Sequence, residues 1–180
     1  MTDEDIVLAA MHGMGDKITG RTCLQKTMYF VAKKLRLDLG FDPHFYGPYS
    51  RRVTMAADAL VASSVLCESR QVFEGGPTDF ERVRYDYEIR DLEYLAQVEA
   101  NGSDELKEIE RIAHMIGDTG ADYRQLSYAA KLHHIVEESA EPMTASEIEE
   151  KALDLGWKMS RKDVAAAVKV LLALKLIKVV

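Results

Sequence analysis

The strongest constraint on this chain is one helical pattern used twice. The first copy is Ser50-Arg51-Arg52-Val53, continued by Ala56, Ala57, Leu60, Val61, Val65 and Leu66. The second is Ser160-Arg161-Lys162-Asp163-Val164, continued by Ala167, Val168, Leu171, Leu172, Leu176 and Ile177. With Asp163 taken as one inserted residue, Val53 to Leu66 and Val164 to Ile177 have the same spacing. Each copy offers a Ser that can cap a helix, a pair of cations, an apolar face recurring at three and four residues, and then an apolar run. Helix followed by short strand is the order in which a winged helix presents its recognition helix. The expected fold is therefore mainly α with small β-hairpins. An N-terminal winged helix-turn-helix is expected over residues 1–100. A helical connector and a second, winged-helix-like unit are expected over residues 101–180.

The rest of the chain supplies elements to surround these copies. Thr2 is placed to cap a first helix over residues 2–14 whose inner face is Ile6, Val7, Ala10 and Met11. Gly13, Gly15 and Gly20 then read as a turn. Leu24, Met28, Val31 and Leu35 form a buried stripe on a second helix over residues 21–38, with Gly40 as its C-cap. Pro43 makes residues 41–46 an edge strand or an extended connector. Val83, Tyr85, Tyr87 and Ile89 alternate with Arg82, Arg84, Asp86 and Glu88, which predicts a strand. Its hairpin partner is residues 65–73, with the tip at 74–79. Residues 101–103 divide the halves. Helices are then expected from Ser103, from Asp122, from Thr144 with the capping box to Glu147, and from Ser160, before an apolar strand over residues 176–180.

Charge is unevenly distributed. The net charge of −7 argues at face value against nucleic acid. Yet residues 17–52 hold eight cations against Asp38 and Asp42, a net of +6, and residues 157–180 hold six against Asp163, a net of +5. Residues 91–156 hold five cations against sixteen anions, a net of −11. Local charge sets the field within a Debye length of about 8 Å, so an anionic partner can be held despite the total. Solvated helix faces account for the same distribution. No apolar run is long enough to span a bilayer, and the opening Thr2-Asp3-Glu4-Asp5 is acidic, so a cytoplasmic protein is expected. Cys23 and Cys67, far apart, read as reduced packing residues.

Gly20-Arg21-Thr22-Cys23-Leu24-Gln25-Lys26, with Phe45-Tyr46-Gly47-Pro48-Tyr49-Ser50, resembles the YwgA-like winged-helix group, whose motifs are G-R-T-x-L-Q-K and F-G-P-Y-S. Tyr46 stands where the first Phe of the turn motif is usual, and Cys23 fills the variable slot. More distantly the chain is similar to the Panacea-type antitoxin domain, which shares a Gly-Pro turn before a helix. The resemblance covers about residues 4–90. It implies a winged-helix fold with a strand between the second and third helices, and no agreed set of functional residues.

The Gly47-Pro48-Tyr49-Ser50 turn has a structural reading, in which Gly frees one backbone angle, Pro fixes the next and Ser caps the helix. It also has a functional reading, in which it aims Arg51 and Arg52 outward beside the free N–H groups of a helix start, where phosphate binds. The expected DNA-binding residues are Arg21, Lys26, Tyr49, Arg51, Arg52, Arg82, Arg84, Arg161 and Lys162. No catalytic residue, metal ligand or cofactor is expected: His12, His44 and His114 lack ligand spacing, and adjacent His133 and His134 point about 100° apart on a helix. A non-enzymatic homodimer binding double-stranded DNA as a transcriptional regulator is the first expectation. The alternative is a protein-interaction module, an antitoxin or assembly adaptor, with a protein partner.

Overall fold

A computed structural model of the protein describes residues 1–73, 82–100, 103–139 and 142–177. The chain runs α1 (Asp3–Gly13), β1 (Lys17–Thr19), α2 (Arg21–Leu35), β2 (Phe41–Asp42), β3 (Tyr49–Ser50), α3 (Arg51–Ala62), β4 (Leu66–Phe73) and β5 (Arg82–Ile89). It continues through α4 (Leu92–Ala100), α5 (Asp104–Asp118), α6 (Tyr123–Glu137), α7 (Ala145–Asp154) and α8 (Arg161–Ala173). The fold is mainly helical with two small antiparallel sheets, one ordered β1-β5-β4 and one pairing β2 with β3.

Caps fix most of the helix starts. Thr2 accepts from the Asp5 N–H while Asp5 accepts from the Thr2 N–H, and the same reciprocal box opens α6 at Asp122, α7 at Thr144 and α8 at Ser160. At α3, Ser50 Oγ accepts from the Val53 N–H. The second helix departs from its expected end. It stops at Leu35 with Arg36 left-handed at φ 57°, and the Leu37 N–H returns to the Ala32 carbonyl. That bond closes a Schellman turn, so Gly40 is not the cap. The helix from Ser103 runs through Gly117 to Asp118 rather than breaking at that glycine.

α2 is the central element. Every residue from Leu24 to Ala32 is buried, polar Gln25, Lys26 and Thr27 included, because α1, α3, α5 and α6 all pack around it. The buried apolar residues of both halves form one continuous core, so the core runs across the boundary read at residues 101–103. Leu24 and Leu60, each 2% exposed, both lie in it as their stripes require.

Three elements were not visible in the sequence: β1, α4, and β3, whose two residues read as part of the Gly47–Ser50 turn and become a strand by pairing with Phe41 and Asp42. β1 lies inside what reads as a glycine turn, because three residues are too few to show alternation. Pairing of Ile18 with Tyr87 on β5 makes it a strand. α4 carries only one buried side chain, Leu95, while Leu92 is exposed, so its apolar face is too thin to register as periodicity. The β4–β5 hairpin forms from the two expected runs, with Leu66 opposite Ile89 and Phe73 opposite Arg82. Its tip at 74–79 lies outside the described residues, as do residues 178–180.

The two copies of the helical pattern end alike. Val65 and Leu176 return their N–H groups to the carbonyls of Leu60 and Leu171, with Ser64 and Lys175 left-handed at φ 63° and 53°. Beyond that turn they diverge. β4 follows α3, whereas Leu176 and Ile177 are a bend and not the expected strand. Val65 and Leu66 have β5 to pair with, and no described strand stands beside Leu176. α8 is also one residue longer than α3, 13 against 12, so Asp163 turns the Arg161–Lys162 pair about 100° around the axis relative to the buried face.

Gly13 marks the closest helix approach. A Cβ there would lie 2.3 Å from the Glu110 carbonyl oxygen and 2.9 Å from the Ala113 Cβ on α5. In a free helix, Gly→Ala favours the fold by about 1 kcal/mol. Here the sign reverses: Gly13→Ala should destabilise by about 1–3 kcal/mol as α1 is pushed off α5. Chemical denaturation checks this, and an unchanged or raised midpoint would contradict the crossing described.

Candidate functional site

The Gly20–Lys26 segment and the Gly47–Ser50 turn are two sides of one clasp. Gly20 precedes α2 with φ 90°, a conformation that β-carbon-bearing residues rarely adopt, and turns the chain from β1 into the helix. One turn on, Gln25 Nε2 donates to the Ser50 carbonyl at 2.9 Å while Gln25 Oε1 accepts from the Ser50 N–H at 2.9 Å. The same amide donates to Thr54 Oγ1, which also bonds the Tyr49 hydroxyl at 2.8 Å. Lys26 Nζ donates to the Pro48 carbonyl at 2.6 Å. Gly47, at φ 92°, lets this turn pass the Lys131 stem on α6, 3.0 Å from where a Cβ would sit. Sequence motifs separated by about two dozen residues thus set the direction of α3.

This geometry corrects the role read for Lys26. It is 2% exposed and spends its ammonium on a backbone carbonyl, so it cannot meet a phosphate on DNA. Tyr49 is half-buried, with its hydroxyl on Thr54. Arg52 lies at the start of α3 but is turned back: Nε donates to Asp3 Oδ2 at 2.8 Å, Nη2 to Asp3 Oδ1 at 2.6 Å and Nη1 to the Asp38 carbonyl at 2.7 Å. Arg21 crosses to the sheet, donating to the Tyr87 hydroxyl at 2.9 Å and Glu68 at 3.0 Å, with its guanidinium 4.0 Å from the Tyr85 ring centre. Arg84 donates to Asp86 at 2.9 Å and stacks near Phe73. Arg161 lies 3.7 Å from Glu149, its side chain 85% exposed. The Arg82 side chain lies outside the described residues. Arg51 and Lys162 are exposed and make no ion pair or hydrogen bond with a described residue.

The outward face of α3 therefore offers Arg51, with Met55 68% exposed one turn later and Asp58 beyond it. Ser50 satisfies the Val53 N–H. The cation pairs are not equivalent in their surroundings, since Arg52 is neutralised by Asp3 while Lys162 is not neutralised.

Two further groupings had no sequence signal. His12 Nδ1 bonds Asp16 at 2.7 Å and its Nε2 lies 3.2 Å from Glu99, with Glu110 completing a set whose ligand atoms all fall within 4.8 Å. Burial works against the imidazolium, but the bond and charge of Asp16 with the charges of Glu99 and Glu110 outweigh it and raise its pKa. Both ring nitrogens face a carboxylate, Asp16 and Glu99, so in this arrangement the set is an ion-pair network. Tyr29 and His133 meet in the core at 2.9 Å. The second grouping is Lys131, Trp157 and the segment from His44 to Gly47. Trp157 Nε1 donates to the His44 carbonyl at 2.7 Å and Ser127 Oγ to the Tyr46 carbonyl at 2.7 Å. These contacts join residues about 80 to 110 positions apart, which periodicity along a chain cannot reveal. No protein-family model and no curated protein sequence matches the chain.

Burial, and then the neighbouring charge of Lys131, push the Lys26 ammonium down to about 7. The unfolded chain keeps that proton to about pH 10.5, so from pH 7 upward the unfolded state binds more protons at this group and the contribution of Lys26 to stability rises with pH, while the raised His12 imidazole acts in the opposite sense. Burial raises the Cys23 thiol and the Tyr29 hydroxyl, which act in the opposite sense only above about pH 9. Lys26→Met should therefore flatten the gain in stability between about pH 7 and 9, relative to the parent, in urea unfolding. Parallel curves for parent and variant would show that Lys26 is not the titrating group.

Proposed function

We propose that this protein binds double-stranded DNA as a non-enzymatic transcriptional regulator, using a winged helix over its first hundred residues. The carrying observation is the element order α1-β1-α2-α3-β4-β5 with the sheet ordered β1-β5-β4. A winged helix uses this order, with a recognition helix in the place of α3 and a wing in the place of the β4–β5 hairpin. Arg51 supports the reading. It is an exposed cation without a described carboxylate partner, at a helix start whose N–H groups favour an anion. The likeness of the Gly20–Lys26 and Phe45–Ser50 motifs to the YwgA-like group points the same way. Arg161 and Lys162 are the second exposed basic patch. A homodimer would bring two Arg51 residues to one duplex, which a module with so few free cations requires for useful affinity.

A specific observation favours the alternative of a protein-interaction module. Arg21, Arg52 and Arg84 are each held by a carboxylate of the chain itself, and Met55 is 68% exposed on the helix that would enter the groove. An apolar, weakly charged helix face suits a protein groove better than a phosphate backbone.

Fluorescence anisotropy with genomic DNA fragments, from about 50 to 200 mM salt, separates the two. Binding that falls steeply with salt, and Arg51→Ala reducing the log–log salt slope by about 1 without lowering the melting temperature, is the expected result. An Arg51→Ala variant that binds as the parent does at every salt concentration would overturn the DNA reading. Arg52→Ala serves as the contrast: it should cost affinity only as far as loss of its Asp3 pair loosens α1 against α3.

A further inference from the structure

Where the segment around Tyr46 faces α6 and the connection from α7 to α8, the surface opens into a cavity of about 540 Å³. Small-molecule sites span about 300–1,000 Å³, so this volume suits a ligand of mononucleotide size. Its lining is unlike the rest of the chain. The protein carries thirty acidic residues against twenty-three Lys and Arg, yet among the described residues the lining holds Arg124, Lys131 and Lys158 and no carboxylate.

Lys131 is the sharpest feature. It is 8% exposed, lines the cavity, and its ammonium makes no hydrogen bond or ion pair with any described residue. Nζ lies 5.9 Å from the Tyr128 ring centre and 5.5 Å from that of Trp157. Aromatic faces attract a cation but accept no conventional hydrogen bond, so they compensate only part of what burial removes. Lys26, which also reaches the Gly47 backbone, brings Lys131 no negative charge. An anion entering the cavity supplies what is missing. At the rim, Phe45, Tyr46 and Tyr123 are 67%, 61% and 51% exposed, and Phe45 and Tyr46 meet edge to face at 5.0 Å. Exposed rings beside unneutralised cations are the combination that holds a base by stacking and its phosphate by charge.

We propose that this cavity is a nucleotide-binding site, with Lys131 and Lys158 on the phosphate and the Phe45–Tyr46 rim against the base. The inference does not depend on the DNA reading, since it concerns a different surface and a single nucleotide unit. That unit has two sources, a free nucleotide or the phosphorylated end of a single strand.

The chain has one tryptophan, Trp157, and it flanks Lys131, so its fluorescence reports on occupancy. Intrinsic fluorescence and calorimetry of the full-length protein would be read against AMP, GMP, CMP and UMP, their nucleosides, inorganic phosphate, and a short 5′-phosphorylated single strand. At least one nucleotide should bind below about 1 mM, with its nucleoside and phosphate alone each about tenfold weaker or more. Lys131→Met should weaken binding about tenfold or more while the melting temperature is held, because the ammonium faces the cavity and bonds no described residue. Tyr46→Ala, at an exposed side chain, should weaken base-bearing ligands and leave phosphate unaffected. Tighter binding of the single strand than of any free nucleotide, still lost in Lys131→Met, supports the site and assigns it to strand ends. Absence of binding by every probe at about 5 mM overturns the proposal. So does phosphate binding equal to that of every nucleotide, or a Lys131→Met variant that binds like the parent.

Discussion

Gln25 holds the backbone of Ser50 from both of its polar groups, and most of the N-terminal half takes its geometry from that contact. A peptide unit at a helix start has an N–H and a carbonyl to satisfy. Ser50 lies at 0% exposure, so water does not serve either group. One buried amide satisfies both at 2.9 Å, fixing the distance and angle between α2 and the first turn of α3. Lys26 adds the Pro48 carbonyl, and Ser50 Oγ donates to the Leu39 carbonyl, tying the turn to the chain leaving α2. Removing Gln25 would strand the buried Ser50 N–H, at about 1–3 kcal/mol, and leave the carbonyl with the Thr54 hydroxyl at 3.4 Å. Polar residues are tolerated in the middle of the most buried helix because each bond they make is one that the turn requires.

The same clasp explains the charge arrangement. Lys26 enters the core to reach Pro48, and Gly47 yields the space in which Lys131 lies alongside it. Two ammonium groups thus share one buried region without a carboxylate between them, and burial lowers the pKa of both. On the outer surface the opposite rule applies. Arg21, Arg52 and Arg84 are committed to Glu68, Asp3 and Asp86; the first pair ties α2 to β4, the second α3 to α1, and the third lies within β5. Counting cations along the sequence overestimates what is free for a partner. The relevant count is the set without an internal carboxylate, and in the N-terminal half Lys17, Arg36 and Arg51 are its exposed members among the described residues.

The repeated helical pattern survives in the part that local physics controls. Both copies start at a capping Ser, bury Val, Ala and Leu on one face and end in the same left-handed turn. They part where each copy meets its neighbours. α3 hands the chain to a strand because β5 stands ready to pair with it, while the described residues after α8 turn back, with Lys34 Nζ on the Leu174 carbonyl. The inserted Asp163 completes the cap box of α8, and in doing so rotates the cation pair away from the orientation it has on α3.

The sequence alone determined the long helices, most of the residues that cap their starts, the two runs that pair as β4 and β5 and the core stripes, because each depends on contacts within a few residues or on a strong period. Ile109, Ile112 and Ala113 on α5 are buried as their spacing requires, and Tyr87 and Ile89 as alternation requires. Tertiary structure decided the rest. β1 exists because a partner strand passes, and the thin face of α4 is covered only in the folded chain. Whether a lysine is a surface cation or a buried clasp is equally a matter of neighbours: Lys26 and Lys33 share one helix, and only the approach of the Gly47 turn separates their fates. The cavity beside Lys131 lay beyond reach for the same reason. Its walls come from residues more than a hundred positions apart, and no local propensity encodes which distant segments meet.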